Sequence, residues 1–277
     1  MSTLRLPTAS MICCSLLLHF LENDSRAVDE DQIDVPKHLR KLPDADDVKD
    51  ITSVDTRIDD DARKRYVLIG PKAKAEQPDE GWRLLLIMPG GDGSPDYHPF
   101  IKRIYKHVLP DNYLAAQIIA PEWTPEQAKK LVWPTKTNPW EGMKFSTEEL
   151  INSVVDDIGT KHQFDARYVF TLTWSSSGPA AYAISLHEKT RVTGSLIAMS
   201  VFKPNKLPSL ERAKGHRYFI LHSPQDFIPI RMAEDAETKL KENGAAVKLQ
   251  TYRGGHGWRD DPYGKMRMGI EWLSADD

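Results

Sequence analysis

The stretch RYVFTLTWSSSGPAAYAISLHE, residues 167–188, decides the fold prediction. Its first half is rich in aromatic and β-branched residues, which favour a strand. Its second half has the composition of a helix that begins at a glycine and a proline. Three consecutive serines, 175–177, stand at the junction. A strand that turns directly into a helix is one unit of an α/β sheet, and the turn lies at the edge where such sheets bind ligands.

The same alternation of strand and helix continues on both sides of this stretch. Upstream, WRLLLIMPGG (82–91) and YLAAQIIAP (113–121) are almost unbroken apolar runs, as expected for strands covered on both faces. Downstream, RYFILHS (217–223) and AVKLQTY (246–252) are further strands, separated by a helical segment. We therefore predict an α/β fold with a mostly parallel central sheet, helices on both faces and no large lid.

The first 50 residues differ from the rest of the chain. The apolar run MICCSLLLHFL (11–21) follows Arg5 and precedes a small-x-small site at 25–27, so we predict a signal peptide over residues 1–27. The run is shorter than the about 20 apolar residues that span a bilayer. A packed N-terminal helix or a start at Met11 are the alternatives. Residues 28–50 are acidic and read as a linker or arm, and 51–277 form the α/β domain. A signal implies secretion or a periplasmic location; otherwise the protein is cytoplasmic.

The composition excludes several classes of function. The chain of 277 residues has 40% hydrophobic and 28% charged residues and a net charge of −3, so nothing favours nucleic acid as a partner. Its two cysteines, Cys13 and Cys14, are adjacent, and no spacing suits zinc. The stretch GGDGS (90–94) matches no nucleotide-binding pattern. We predict no metal, no cofactor and no membrane span in the mature chain.

Groups capable of acyl transfer follow three of the predicted strands. The serines follow the strand that ends near 174, Asp226 follows the strand 217–223, and His256 follows the strand 246–252. The carboxyl ends of parallel strands share one edge of the sheet, so these side chains are expected to meet. A serine hydroxyl becomes a nucleophile when a histidine removes its proton, and a carboxylate can orient that histidine.

This order resembles the α/β-hydrolases over about residues 51–277. It is similar to secreted esterases of the polyhydroxybutyrate-depolymerase and feruloyl-esterase type and to phospholipase/carboxylesterases. Those families place the nucleophile in a G-x-S-x-G turn and order the triad serine, aspartate, histidine. The segments LHSPQDFIP (221–229) and YRGGHGW (252–258) resemble the family's segments around its aspartate and histidine.

The resemblance implies a role for each site residue. Ser176 alone among the three serines has a glycine two residues later, Gly178, so we predict Ser176 as the nucleophile, with Asp226 and His256. Trp174 then stands at the first glycine position, which departs from the pattern. The oxyanion hole is expected from the backbone of two residues, Gly91 and Ser177. The substrate pocket is expected to contain five aromatic residues: Trp174, Phe227, Trp258, Trp133 and Trp140.

The same residues also have structural, non-catalytic interpretations. The serines could form a polar turn, Asp226 could be a helix cap, and His216 and His222 compete with His256. We predict a serine hydrolase that cleaves a small-molecule or polymer carboxylic ester through an acyl-enzyme. The alternatives are a peptidase or acyl transferase with the same triad, or a non-catalytic binding protein that retains the fold.

Overall fold

The computed structural model describes residues 36–275, so the signal peptide predicted for 1–27 lies outside the described residues. Eight strands follow one another along the chain: β1 (Ser53–Arg57), β2 (Arg65–Ile69), β3 (Trp82–Met88), β4 (Tyr113–Ile118), β5 (Phe164–Trp174), β6 (Gly194–Ala198), β7 (Arg217–His222) and β8 (Ala246–Thr251). Six α-helices lie between the later strands and after the last one: α1 (His98–Val108), α2 (Pro125–Lys130), α3 (Thr147–Gly159), α4 (Gly178–Ser185), α5 (Arg231–Glu242) and α6 (Pro262–Ser274).

The strands form one sheet in the order β1-β2-β4-β3-β5-β6-β7-β8. The first two strands pair as an antiparallel hairpin, and β2 is also antiparallel to β4. All other pairs are parallel, so the prediction of a mostly parallel sheet is confirmed. The carboxyl ends of β3, β5, β6, β7 and β8 therefore lie along one edge.

The core occupies both faces of the sheet because side chains of a strand alternate between faces. On β3, Leu85 and Ile87 pack in the same cluster as residues of α1 and α6, whereas Leu84 and Leu86 pack in the cluster that contains residues of α3. Continuous apolarity along β3 thus reflects burial of both of its faces, and helices cover both, as predicted. Within residues 36–275, no helix is long and apolar enough to cross a membrane.

Helix starts follow local capping rules. Helix α3 begins at a capping box in which the Ser146 hydroxyl accepts from the Glu149 N–H and the Glu149 carboxylate accepts from the Ser146 N–H. The short helix α2 lies in the connection between β4 and α3. Thr124 caps it by accepting from the Gln127 N–H at 3.0 Å.

The segment 36–50, expected to be a linker or arm, packs against the domain. Arg65 on β2 is buried, and its guanidinium donates to the carbonyls of His38 and Arg40 and to the Asp55 carboxylate. Asp47 accepts two hydrogen bonds from the Arg103 guanidinium of α1. These acidic and basic partners explain how a polar segment is held without a large apolar stripe.

Candidate active site

The turn between β5 and α4 contains a left-handed residue. Ser175 follows the last residue of β5 and has φ +55°. A residue with a Cβ rarely adopts this conformation, which costs of order 1–3 kcal/mol and persists only where neighbours hold it. Here Ser200, just beyond β6, donates its hydroxyl to the Ser175 carbonyl at 2.7 Å. The sharp bend lifts the Ser175 side chain off the strand at the ligand-binding edge.

Ser175, His256 and Asp226 form a continuous hydrogen-bonded chain. The Nε2 atom of His256 lies 3.0 Å from the Ser175 hydroxyl oxygen. Its Nδ1 atom lies 3.0 and 2.9 Å from the two carboxylate oxygens of Asp226. The Asp226 side chain is fully buried and also accepts from the Ile228 N–H at 2.8 Å. A proton on Nδ1 leaves Nε2 free to accept from the serine hydroxyl.

The contact that we expected for Ser176 is made by Ser175 instead. The Ser176 side chain is exposed, and its hydroxyl donates to the Gly91 carbonyl at 2.8 Å rather than to His256. The observed contact therefore differs from the predicted one by one position: the imidazole contacts the first serine of the three. Trp174 accordingly precedes the left-handed residue directly and does not occupy the first glycine position, which falls on Thr173.

Packing of α4 explains why the glycine misled the prediction. A Cβ on Gly178 would overlap the Ser200 hydroxyl and lie 3.1 Å from Ile197 Cγ2, so glycine is needed where α4 approaches β6. The small residue of the turn itself is Ser177. Its buried hydroxyl donates to the Met88 carbonyl at 2.7 Å and accepts from the Trp174 N–H at 3.0 Å.

A glycine-rich loop holds the imidazole in place. Gly254, Gly255 and Gly257 all have positive φ, which allows the chain to bend tightly around His256. The loop is tied to the segment after β7, since the Gly254 N–H donates to the Gln225 side chain at 2.8 Å. Burial, together with the Asp226 charge, raises the pKa of Tyr252 to about 12. That phenol stays protonated and donates to the Gly255 carbonyl at 2.9 Å.

The two competing histidines lie elsewhere. The ring of His222 is buried and its Nε2 lies 2.9 Å from the Ile228 carbonyl. His216 lies 3.1 Å from the Ser195 hydroxyl, but both residues are buried near the amino ends of β6 and β7, away from the turn. Burial lowers the pKa of His216 to about 3, so it is neutral at physiological pH. This pair is a packed polar contact inaccessible to a substrate.

The glycine turn after β3 lies against Ser176. The Gly93 N–H donates to the Gly90 carbonyl at 3.1 Å, and Gly91 has φ +59°. A Cβ on Gly90 would lie 2.7 Å from the Trp174 carbonyl oxygen and would also strike its indole. Glycine at this position therefore allows the two turns to touch. Ser177, where the second backbone donor was expected, is buried and lies two positions after Ser175, whereas Ser176 follows Ser175 directly.

A buried lysine from the segment 36–50 braces the same turn. The Lys37 ammonium donates to the Asp92 carbonyl, and the Lys37 N–H donates to the Glu122 carboxylate at 3.1 Å. Burial lowers the pKa of Lys37 to about 8, although the charges of Asp92 and Glu122 oppose the shift. No sequence signal pointed to Lys37, because its partners lie far away in the chain.

The aromatic residues predicted to line the pocket do not form one cluster. Trp174 and Trp258 pack edge to face beneath the turn with ring centres 5.5 Å apart, and Phe100 contacts both. Phe227 is 77% exposed and lies 4.4 Å from the His256 ring. Trp133 is buried and its indole N–H donates to the Pro89 carbonyl at 3.2 Å, close to the glycine turn.

Trp140 is the exception among the predicted pocket residues. It is partly exposed in the loop that follows α2, and no contact joins it to Ser175, Asp226 or His256 in the described part of the chain. Among residues 36–275, no group of three or more His, Cys, Asp and Glu side chains could hold a metal ion.

Comparisons with known proteins agree with this architecture. No family model and no curated protein matches the sequence. Solved structures do match. The fluorophosphonate-binding serine hydrolase F of Staphylococcus aureus is 13% identical with a TM-score of 0.57, over 82% of this chain and 98% of that chain.

Two further structures are similar in the same way. An α/β hydrolase from a Medee basin deep-sea metagenome is 13% identical with a TM-score of 0.59, covering 81% of this chain and 97% of that one. A ferulic acid esterase is 9% identical with a TM-score of 0.58 over the same shares, 81% and 97%. With this strand order, a left-handed turn after β5 and a histidine loop after β8, the chain has the α/β-hydrolase fold.

Proposed function

We propose that the protein is a serine hydrolase that cleaves carboxylic esters, with Ser175 as the nucleophile. One observation carries the proposal: the His256 Nε2 atom lies 3.0 Å from the Ser175 hydroxyl while its Nδ1 contacts the buried Asp226 carboxylate. A base in hydrogen-bond contact with a hydroxyl, itself oriented by a third group, is the arrangement that activates a serine.

Each residue has a defined role in this proposal. Ser175 Oγ attacks the ester carbonyl while its proton passes to His256 Nε2. The imidazolium then gives that proton to the departing alcohol, which leaves an acyl group on Ser175. Water, deprotonated by His256, attacks the acyl-enzyme, and His256 returns that proton to Ser175 Oγ as the acid is released. Asp226 holds the imidazole in the required tautomer and stabilises its charged form.

Two backbone donors would stabilise the oxyanion. The N–H groups of Ser176 and Gly91 lie in the two turns that meet beside Ser175, and the Ser176 hydroxyl bonds to the Gly91 carbonyl. That bond fixes the two turns relative to each other. A preorganised donor of this type typically contributes about 10²–10³ in rate.

Fluorophosphonate labelling tests the assignment. A solved structure with the same fold is that of a fluorophosphonate-binding serine hydrolase, and these probes react with activated serines. We expect peptide mass spectrometry to find the label on Ser175. Ser175→Ala should abolish labelling, whereas the matched Ser176→Ala should retain it with a few-fold lower rate, since it loses only a hydroxyl bond worth about 0.5–1.5 kcal/mol. Label on Ser176, or labelling of Ser175→Ala, would overturn the assignment.

The choice of esters over amides has its own test. Ferulic acid esterase and other esterases share the fold, and an alcohol leaves more readily than an amine. We expect 4-nitrophenyl butyrate to be hydrolysed and the corresponding 4-nitroanilide to be turned over at least about 10²-fold more slowly, a barrier difference of about 2.7 kcal/mol. Comparable rates would favour a peptidase.

A further inference from the structure

A groove begins at Ser176, the neighbour of the proposed nucleophile. Its volume is about 290 Å³. Trp133 lines it from the segment after α2, and Tyr182 lines it from α4. The groove therefore has an apolar floor and opens beside the position where an ester carbonyl would be attacked. A substrate bound at Ser175 can extend one of its two ends into this space.

The charged residues that line the groove all have the same sign. They are three lysines, Lys130 on α2 and Lys203 and Lys206 beyond β6. Lys130 forms an exposed ion pair with Glu126. Lys203 and Lys206 are exposed and have no ion-pair partner among residues 36–275. No Asp or Glu of the described chain lines the groove.

This local charge is opposite to that of the whole chain. The protein has a net charge of −3, whereas the groove has two uncompensated positive charges. A cleft lined by one sign of charge concentrates ligands of the other sign. Asn138 and Thr135 also line the groove and add neutral hydrogen-bonding groups, so an anion there would meet both charge and hydrogen-bond partners.

We propose that this groove binds an anionic group of the substrate, so that the preferred esters carry a carboxylate a short distance from the ester bond. The inference rests on the proposed ester hydrolysis at Ser175. Lysine binds anions as a point charge rather than through a planar fork, so the groove selects negative charge more than a particular geometry. The apolar floor would contact the carbon chain between the ester and the anion.

Two matched pairs of esters test this inference. The first compares 4-nitrophenyl hemiglutarate with its neutral methyl ester, which places the charge on the acyl side. The second compares 4-acetoxybenzoate with methyl 4-acetoxybenzoate, which places it on the alcohol side. We expect kcat/KM to favour the anion in one pair by about 10-fold at low salt, since an exposed ion pair is worth about 0.2–1 kcal/mol and two lysines contribute. The preference should shrink as salt is added.

Substitutions identify the lysines responsible. Lys203→Gln and Lys206→Gln should each reduce the preference about 3-fold through a higher KM, and Lys203→Glu should reduce it further. Lys129→Gln is the matched control, because Lys129 is exposed on α2 and does not line the groove. Lys129→Gln should hydrolyse the neutral esters at the wild-type rate, and the preference of each groove variant is measured as the ratio of its kcat/KM values for the anionic and the neutral ester.

The outcomes separate the two proposals. If no ester is hydrolysed, the proposed function fails. If neutral esters are hydrolysed but neither pair shows a preference for the anion, only the inference about the groove is overturned. A preference that Lys129→Gln reduces as much as Lys203→Gln does would also overturn it, since the effect would then come from the general surface charge.

Discussion

The left-handed conformation of Ser175 predicts that glycine and alanine have opposite effects at two adjacent positions. At φ +55°, a Cβ costs about 1–2 kcal/mol, which glycine avoids. Glycine instead costs about 0.5–1 kcal/mol more than alanine in backbone entropy. Ser175→Gly should therefore be more stable than Ser175→Ala by about 0.5–1 kcal/mol.

Position 176 supplies the matched control. Ser176 does not have a positive φ, so only the entropy acts and Ser176→Ala should be more stable than Ser176→Gly by about 0.5–1 kcal/mol. Both substitutions at each position remove the same hydroxyl, and that loss cancels within each pair. The difference in unfolding free energy between the glycine and alanine variants can be compared at the two positions. Subtracting the difference at 176 from that at 175 cancels the entropy and leaves the strain at Ser175, about 1–2 kcal/mol.

Urea unfolding of the four variants measures these differences in unfolding free energy. In thermal unfolding, each kcal/mol should shift Tm by about 2–4 °C. The measurement needs no substrate, so it locates the sharp turn independently of activity. If alanine is the more stable substitution at both positions, Ser175 is not left-handed and the assignment of the nucleophile loses its structural basis. If the signs are reversed, the bend lies at Ser176, as the glycine pattern suggested.

Three further predictions concern packing and pH. Gly178→Ala should cost about 1–3 kcal/mol in urea unfolding by crowding Ser200, and adding Ser200→Gly should recover more stability than that change costs alone. Because the pKa of His216 is about 3, the free energy of unfolding should fall as pH drops below 6.5. Between pH 6.5 and 4.5, urea titrations should show a decrease in this free energy that is about 2.5 kcal/mol smaller for His216→Gln than for the wild type. Because the pKa of Lys37 is about 8, wild type should gain stability over Lys37→Met as pH rises from 8 to 10, by about 1.4 kcal/mol per unit in the same assay.

The signs of the two pH effects follow from proton counts. Below pH 6.5 the unfolded chain binds a proton at His216 that the folded protein does not bind until near pH 3, so acid favours unfolding. Between pH 8 and 10 the unfolded chain keeps a proton on Lys37 that the folded protein has released, so alkali favours folding. Parallel curves for wild type and variant would contradict the assigned pKa in either case.

The fold could be predicted from hydrophobic patterns because sheet and helix burial is a local property of the chain. The apolar run of β3 indicated a buried strand directly. The packing of residues 36–50 could not be predicted, because it depends on partners such as Arg65 and Arg103 that become neighbours only in the fold. The short helix α2 could not be predicted for a different reason, because its six residues carry no apolar period.

The site shows where pattern and conformation differ. The meeting of Asp226 with His256 could be expected because each follows a parallel strand at the same edge. Which of the three serines contacts His256 could not be predicted from the amino-acid sequence alone. Gly178 satisfied the pattern for an unrelated reason, its approach to Ser200, while the turn itself uses Ser177 as its small residue. A left-handed φ leaves no trace in the sequence when the residue that adopts it is not glycine.

The indole pair under the turn has a spectroscopic consequence. Trp174 and Trp258 lie 5.5 Å apart with their planes at 70°, and they join the end of β5 to the loop that carries the imidazole. Excited states of two chromophores this close and this skewed couple to each other and give a paired band of opposite signs in circular dichroism. This paired band therefore reports whether the two segments are in contact. It can be followed during heating or inhibitor binding without any added dye.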